Sequence, residues 1–181
     1  DIVSPLDDEG GAEILEELWP DLRAAIIDAL NECLKMRQRE GELLQNDLLE
    51  RLSIFQQKID AIEQSLPLII EIRGKVLQER LDKLLSGIDI DPVRLAQEVA
   101  ILVDKTDVSE EIVRLRSHLE QFHGFLNINE PVGRRLDFLV QELLREVNTI
   151  ASKINHAETA HLTVGMKNEI EKIREQVQNL E

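Results

Sequence analysis

Glu142 and Glu146 lie one helical turn apart on one flank of an amphipathic stretch. Two carboxylates at that spacing can jointly hold a hard divalent cation, Mg²⁺ or Mn²⁺, with Asp137 or a group from a neighbouring helix completing an oxygen shell. Phosphodiester cleavage would use them to activate water and neutralise a phosphate oxygen, with Arg or Lys stabilising the transition state. Spacing alone favours a structural ladder instead, in which Arg135, Arg145 and Lys153 neutralise the two glutamates. Arg134 and Arg135, close to the start of the same helix, offer guanidinium forks beside unsatisfied N–H groups, a combination that grips phosphate. The plainer alternative is a surface ion pair with Asp137 or Glu142. His118, one turn from Arg114 and two from Glu111, is a candidate general acid or base, against the simpler reading of a solvated histidine.

The element that must position these groups is a helix begun by Asn129-Glu130-Pro131 and running about 24 residues, or ~36 Å. Leu136, Val140, Leu143, Val147, Ile150 and Ile154 form its apolar stripe, at steps of four and three. Arg135, Glu142, Glu146, Thr149 and Lys153 fall on one flank; Arg134, Gln141, Arg145, Asn148 and Ser152 fall on the adjoining face. Asn, Thr and Ser are poor mid-helix residues, so this polar surface is selected for more than helicity.

Gly and Pro are few and no sustained β alternation occurs, so the chain is expected to be all-α, with long antiparallel helices in a bundle or coiled-coil-like hairpin array. Residues 1–11 read as a mobile leading segment, 12–90 as a long-helix region and 91–181 as a C-terminal helical domain. A helix is expected from Asp21, capped after Trp19-Pro20, and its stripe continues as Leu44, Leu48, Leu52, Phe55, Ile59, Ile62 and Leu66. Gly41 either interrupts this helix or is tolerated in it. Pro67 should kink or restart it, and the next segment runs to about Ser86. Asp91-Pro92 reads as N-cap and first position of a shorter helix to about Val103. Asp107 with Glu110, and Asn155 with Glu158, have capping-box spacing. Met166, Ile170, Ile173, Val177 and Leu180 form the last seam. Narrow seams of this kind favour self-association into a homo-oligomer.

The net charge of −15 argues against a nucleic-acid binder until its distribution is considered. Residues 1–60 carry −9, 61–131 carry −5 and 132–181 only −1, so the last third can present a local basic face. Aromatic residues make up 3%, with no Tyr, so base stacking cannot be the main mode of recognition. Phosphates, 2′-hydroxyls and groove shape would carry contacts to RNA. Cys33 is the only cysteine, which excludes an internal disulfide and a multi-cysteine zinc site; it lies on the stripe Leu22, Ile26, Ala29, Leu30 and reads as a buried core thiol. No apolar run approaches the length of a membrane span, so the expectation is a soluble, cytoplasmic protein. Asp1 in place of an initial Met reads as a trimmed chain. No Walker loop, dinucleotide-binding glycine pattern, HExxH, EF-hand loop or GxSxG occurs.

The stretch Asp104 to Glu111, Arg114-Leu115, Ser117-His118, Glu130 to Leu139 and Gln141-Glu142, continued by Arg145 to Ile150, Ser152-Lys153 and Lys172 to Asn179, resembles the C-terminal region of the bacterial YicC/YloC family. The likeness is strongest over residues 92–181, while 12–90 resembles the family's central helical region. The resemblance implies a cytoplasmic, stress-associated endoribonuclease that assembles as a hexamer, depends on divalent metal and carries a further N-terminal domain, expected to be absent from this chain. Leu144, Ile154 and Gly165 depart from the family pattern, in which Asn, a small residue and Glu are usual.

The combined expectation is metal-assisted RNA cleavage. Glu142 and Glu146, with Asp137, hold metal or activate water; His118 transfers protons; Arg134, Arg135, Arg145 and Lys153 hold phosphates; Gln141 and Asn148 bond ribose or base edges. The alternatives are a non-catalytic helical scaffold and an RNA-binding adaptor.

Overall fold

The computed structural model describes residues 8–84, 92–128, 130–154, 156–178 and 180, and among these the chain is all-α. Five helices follow in order: α1 (Asp8–Leu84), α2 (Pro92–Thr106), α3 (Ser109–Leu126), α4 (Gly133–Lys153) and α5 (Ala157–Val177). None is long and apolar enough to cross a membrane. The chain divides into two units, residues 1–44 and 45–181.

In the first unit the helix starts well before the expected Asp21 and continues through Pro20. Proline removes one N–H and so deprives the carbonyl four residues back. Glu16 and Pro20 are both exposed, which leaves that carbonyl within reach of water. The stripe Leu22, Ile26, Leu30 is exposed, and Cys33 with it, contrary to the expectation of a core thiol. Helical periodicity marks a face able to be buried; it does not supply the segment that buries it.

In the second unit α1 continues through Pro67, which neither ends nor restarts it; Glu63 and Pro67 are again exposed. Leu48, Leu52, Phe55, Ile59, Ile62 and Ile69 are at most 2% exposed. Leu115, Leu119 and Phe122 of α3, the α4 stripe, and Met166, Ile170 and Ile173 of α5 are buried as well. Polar ties fix the directions. Arg116 of α3 donates to Asp60 (2.9 Å) and Glu63 (2.6 Å) of α1, while Gln45 donates to the Leu126 carbonyl (2.8 Å), so α1 and α3 run antiparallel. Gln176 donates to Asp47 (3.1 Å) and Arg51 reaches Glu169 (3.5 Å), so α5 is antiparallel to α1 as well. Hydrogen bonds to Asp60 and Asp47 hold the Arg116 and Arg51 guanidinium groups still more firmly protonated than usual. With α4 packed between α3 and α5, the order around the bundle is α1, α3, α4, α5, each antiparallel to its neighbours.

Several helix ends differ from expectation. Pro92 does open α2, which continues to Thr106; Asp91 lies outside the described residues. The N-cap of α3 is Val108, not Asp107. The Asp107 carboxylate accepts from the Ser109 N–H (2.9 Å), and Glu110 turns to Arg114, so no capping box forms. Helix α4 begins at Gly133 after Val132, later than expected from Pro131. His156 precedes α5 with no side-chain cap bond, and Asn155 is outside the described residues. Box spacing alone does not say which residue leaves the helical conformation first.

Candidate active site

The antiparallel pairing of α3 and α4 sets Glu111, Arg114 and His118 against Lys153, Glu146 and Glu142. The α3 residues follow at steps of three and four, hence on one face. Glu142, Glu146 and Lys153 repeat the same logic on α4. The polar flank of α4 is therefore partly buried against α3, while Arg134, Gln141, Arg145, Asn148 and Ser152 are exposed.

At the centre, His118, Glu142 and Glu146 each offer one ligand atom, and these atoms lie within 4.8 Å of one another. Glu146 is only 2% exposed, whereas His118 and Glu142 are half-buried. His118 Nδ1 is buried and has no hydrogen-bond partner among the described residues. Three donors at 2.0–2.2 Å around one divalent ion stand at most about 3.8 Å apart, so the trio would draw together by up to about 1 Å to hold one. One imidazole and two carboxylates form a mixed nitrogen and oxygen donor set that fits a divalent transition ion such as Mn²⁺ better than Mg²⁺, and they leave positions for substrate oxygens.

Cations surround the trio. Arg114 Nη1 lies 3.5 Å from Glu146 Oε1, and its Nη2 bonds Glu110. Those two carboxylates, Glu110 foremost, raise the guanidinium pKa above its ordinary value. Arg145 stands 3.6 Å from Glu142. Lys153 Nζ donates to Glu111 Oε1 (2.8 Å) and to the Asp107 carbonyl (2.9 Å); Glu111 is 5% exposed, and its Oε2 is buried without a partner.

The expected ladder is thus present only in part. Arg145 meets Glu142, but the cation at Glu146 is Arg114 from the other helix. Arg135 sits 3.8 Å from Glu130 and 5.6 Å from the Phe125 ring centroid, away from Asp137 and Glu142. Asp137 accepts from Gln141 Nε2 (2.8 Å) and, with Arg134 and Arg135, borders an open cleft of about 750 Å³ at the start of α4. It does not join the trio; His118 takes the third place. Gln141, Arg145, Asn148 and Ser152 line a separate groove of about 530 Å³ with Leu144 and Thr149. Thr149 and Ser152 return their hydroxyls to the Arg145 and Thr149 carbonyls, a local account of two residues poor in helix propensity. Among the departures from the family pattern, Leu144 is half-buried, Ile154 is 2% exposed, and a Cβ at Gly165 would lie 3.0 Å from Lys58 Nζ.

The pairings of Arg114 with Glu146 and of Glu111 with Lys153 escaped sequence reasoning. The signal available was the spacing 111, 114, 118 on α3 together with a short connection to α4.

The family model described as "Endoribonuclease YicC-like, C-terminal" matches residues 62–181. The chain is 42% identical over 165 residues to a protein of Clostridioides difficile (strain 630) named "Probable endoribonuclease YicC"; the match covers 91% of this chain and 56% of that protein. A protein of the same name from Haemophilus influenzae (strain ATCC 51907 / DSM 11121 / KW20 / Rd) is 36% identical over 173 residues, covering 96% of this chain and 60% of its own length. The chain thus spans less than two thirds of these relatives.

Proposed function

Because the chain belongs to the family of YicC-like endoribonuclease C-terminal domains, we propose that it supplies the catalytic centre of an enzyme that cleaves RNA phosphodiester bonds with divalent metal assistance. The observation carrying this reading is the convergence of His118, Glu142 and Glu146 at the α3–α4 interface. These three residues hold the cation. When bound, it supplies Lewis-acid stabilisation for charge developing on a phosphate oxygen. His118 enters the proposal as a ligand, where the sequence alone offered it as a proton carrier. Glu142, the less buried carboxylate, accepts the proton of the attacking water through its second oxygen, while the P–O3′ bond breaks and the leaving 3′-oxygen takes a proton from solvent.

Arg114, half-exposed and paired with Glu146 and with the exposed Glu110, exchanges its Glu110 contact for a non-bridging phosphate oxygen when RNA binds. Lys153 keeps Glu111 and the start of α3 in place. Arg134, Arg135, Arg145, Gln141 and Asn148 form the exposed surface along which the strand lies, and their contacts would be mostly to phosphate and ribose. The exposed stripe Leu22, Ile26, Leu30, Leu34 favours a homo-oligomer, and a lone cysteine suits the reducing cytoplasm.

The test is incubation of structured RNA with this chain, and with the protein extended to its relatives' full length, in Mg²⁺, Mn²⁺ or chelator. New ends bearing 5′-phosphate and 3′-hydroxyl, lost on chelation, are expected. Cyclic-phosphate ends would replace water by the 2′-hydroxyl as nucleophile, and RNA binding without new ends would make the chain an adaptor.

A further inference from the structure

The apolar seam of α1 runs through Leu48, Leu52, Phe55, Ile59, Ile62, Leu66 and Ile69 at alternating steps of four and three. The next positions in the same register are 73, 76 and 80. Val76 keeps the pattern, but Arg73 and Arg80 occupy places where an aliphatic side chain is due. Both border a cavity of about 380 Å³ that has Ile69 and Val76 on one side and Leu102 of α2 and His156 on the other. Among the described residues no carboxylate lines it. Among the described residues, neither arginine has an acidic partner within 4.0 Å, in a chain of net charge −15. His156 Nδ1 is buried and, among the described residues, has no hydrogen-bond partner. Arg73 is half-buried and Arg80 exposed, so two cationic forks without an acidic partner among the described residues face one cavity and can jointly grip an anion of complementary shape.

We propose that this cavity is a nucleotide-binding subsite, with Arg73 and Arg80 on the phosphate and the aliphatic wall of Ile69, Val76 and Leu102 against the base. Its volume is within the range of small-molecule sites. The choice of a nucleotide among phosphorylated ligands rests on the RNA-cleaving reading above. The same chemistry is offered by a nucleotide within a strand and by a free mononucleotide.

The test is calorimetric titration of this chain with adenosine 5′-monophosphate, ribose 5-phosphate and inorganic phosphate, in chelator so that the His118 centre does not contribute. Adenosine monophosphate is expected to bind, with ribose 5-phosphate at least tenfold weaker. Arg73→Leu and Arg80→Leu should each weaken binding about tenfold, the loss of one charge-assisted hydrogen bond. Because leucine restores the seam, both variants should remain folded, with a melting temperature no lower than wild type. Arg80→Lys keeps the charge without the fork and should recover part of the affinity.

A non-cleavable 2′-O-methyl hexanucleotide that displaces the mononucleotide places the site on an RNA strand. A hexanucleotide that does not displace it assigns the cavity to free nucleotide. The proposal is overturned if the mononucleotide does not bind, if both leucine variants bind it as wild type does, or if ribose 5-phosphate binds equally well. Glu142→Gln should leave this titration unchanged. Nucleotide binding in a protein that never cleaves RNA would therefore sink the cleavage reading alone.

Discussion

Arg114 holds its Nη1 atom 3.5 Å from Oε1 of Glu146 across the α3–α4 interface, and turns its other terminal nitrogen to Glu110 on its own helix. Glu146 is 2% exposed, so this guanidinium is the counter-charge of a carboxylate that water scarcely reaches. The arrangement ties the two helices together at a buried carboxylate and leaves the guanidinium at the rim of the interface. Arg114→Ala should lower the urea midpoint, and the loss should shrink when Glu146→Gln has already removed the charge. Equal losses in the two backgrounds would mean that the two residues do not interact.

Lys153 bonds both Glu111 and the carbonyl of Asp107. Removing its ammonium leaves Glu111, already carrying one unpartnered buried oxygen, with an uncompensated charge. Lys153→Met should cost about 2–3 kcal/mol by urea unfolding, and adding Glu111→Gln should recover most of it. A Lys153→Met variant as stable as wild type would contradict this account of the pair.

The glycines predict opposite outcomes. A Cβ at Gly133 would come 2.9 Å from the Leu180 carbonyl oxygen, so Gly133→Ala should displace the chain after α5 and destabilise by about 1–3 kcal/mol. At Gly124 a Cβ meets nothing within 4 Å, and Gly124→Ala should stabilise by roughly 0.5–1 kcal/mol through helix propensity alone. Gly165→Glu, the residue usual in the resembled family, should also stabilise, because Lys58 Nζ can swing aside and pair with the new carboxylate. Thermal unfolding of the three variants checks the signs.

Acid should loosen the start of α3. Asp107 has its pKa lowered from 3.8, chiefly through its hydrogen bonds with Ser109, with a smaller pull from Lys153. A carboxylate lowered on folding adds stability that is complete above its unfolded pKa and is lost as pH falls through the folded value. The Asp107 contribution should therefore be intact near neutrality and fade below about pH 4. Asp107→Asn should flatten the acid limb of a stability–pH curve and leave its slope above pH 6 unchanged.

The stripes of α4 and α5 and the α1 seam were legible because their periodicity is intrinsic to one helix: Leu136, Val140, Leu143, Val147 and Ile150 are all buried. The two prolines misled because an exposed carbonyl tolerates the loss of its N–H partner, a matter of location that residue type does not encode. Glu142 and Glu146 were legible as a pair on one flank. Their third partner was not: Asp137 is nearer in sequence, yet the antiparallel register of α3 and α4 brings His118. Register between two helices is set by how both stripes interdigitate, so neither stripe read alone reveals it. Cys33 was misread for a related reason, since its stripe shows what can be covered and not what covers it.

The most direct test of the metal-assisted centre is the rate of RNA cleavage as a function of Mn²⁺ concentration, comparing the protein at its relatives' full length with its Glu146→Gln variant. The account predicts saturable dependence on Mn²⁺ in the wild type, abolished by chelator, and a rate at least about 100-fold lower in the variant with folding intact. Cleavage at the wild-type rate by Glu146→Gln, or full cleavage in chelator, would contradict it.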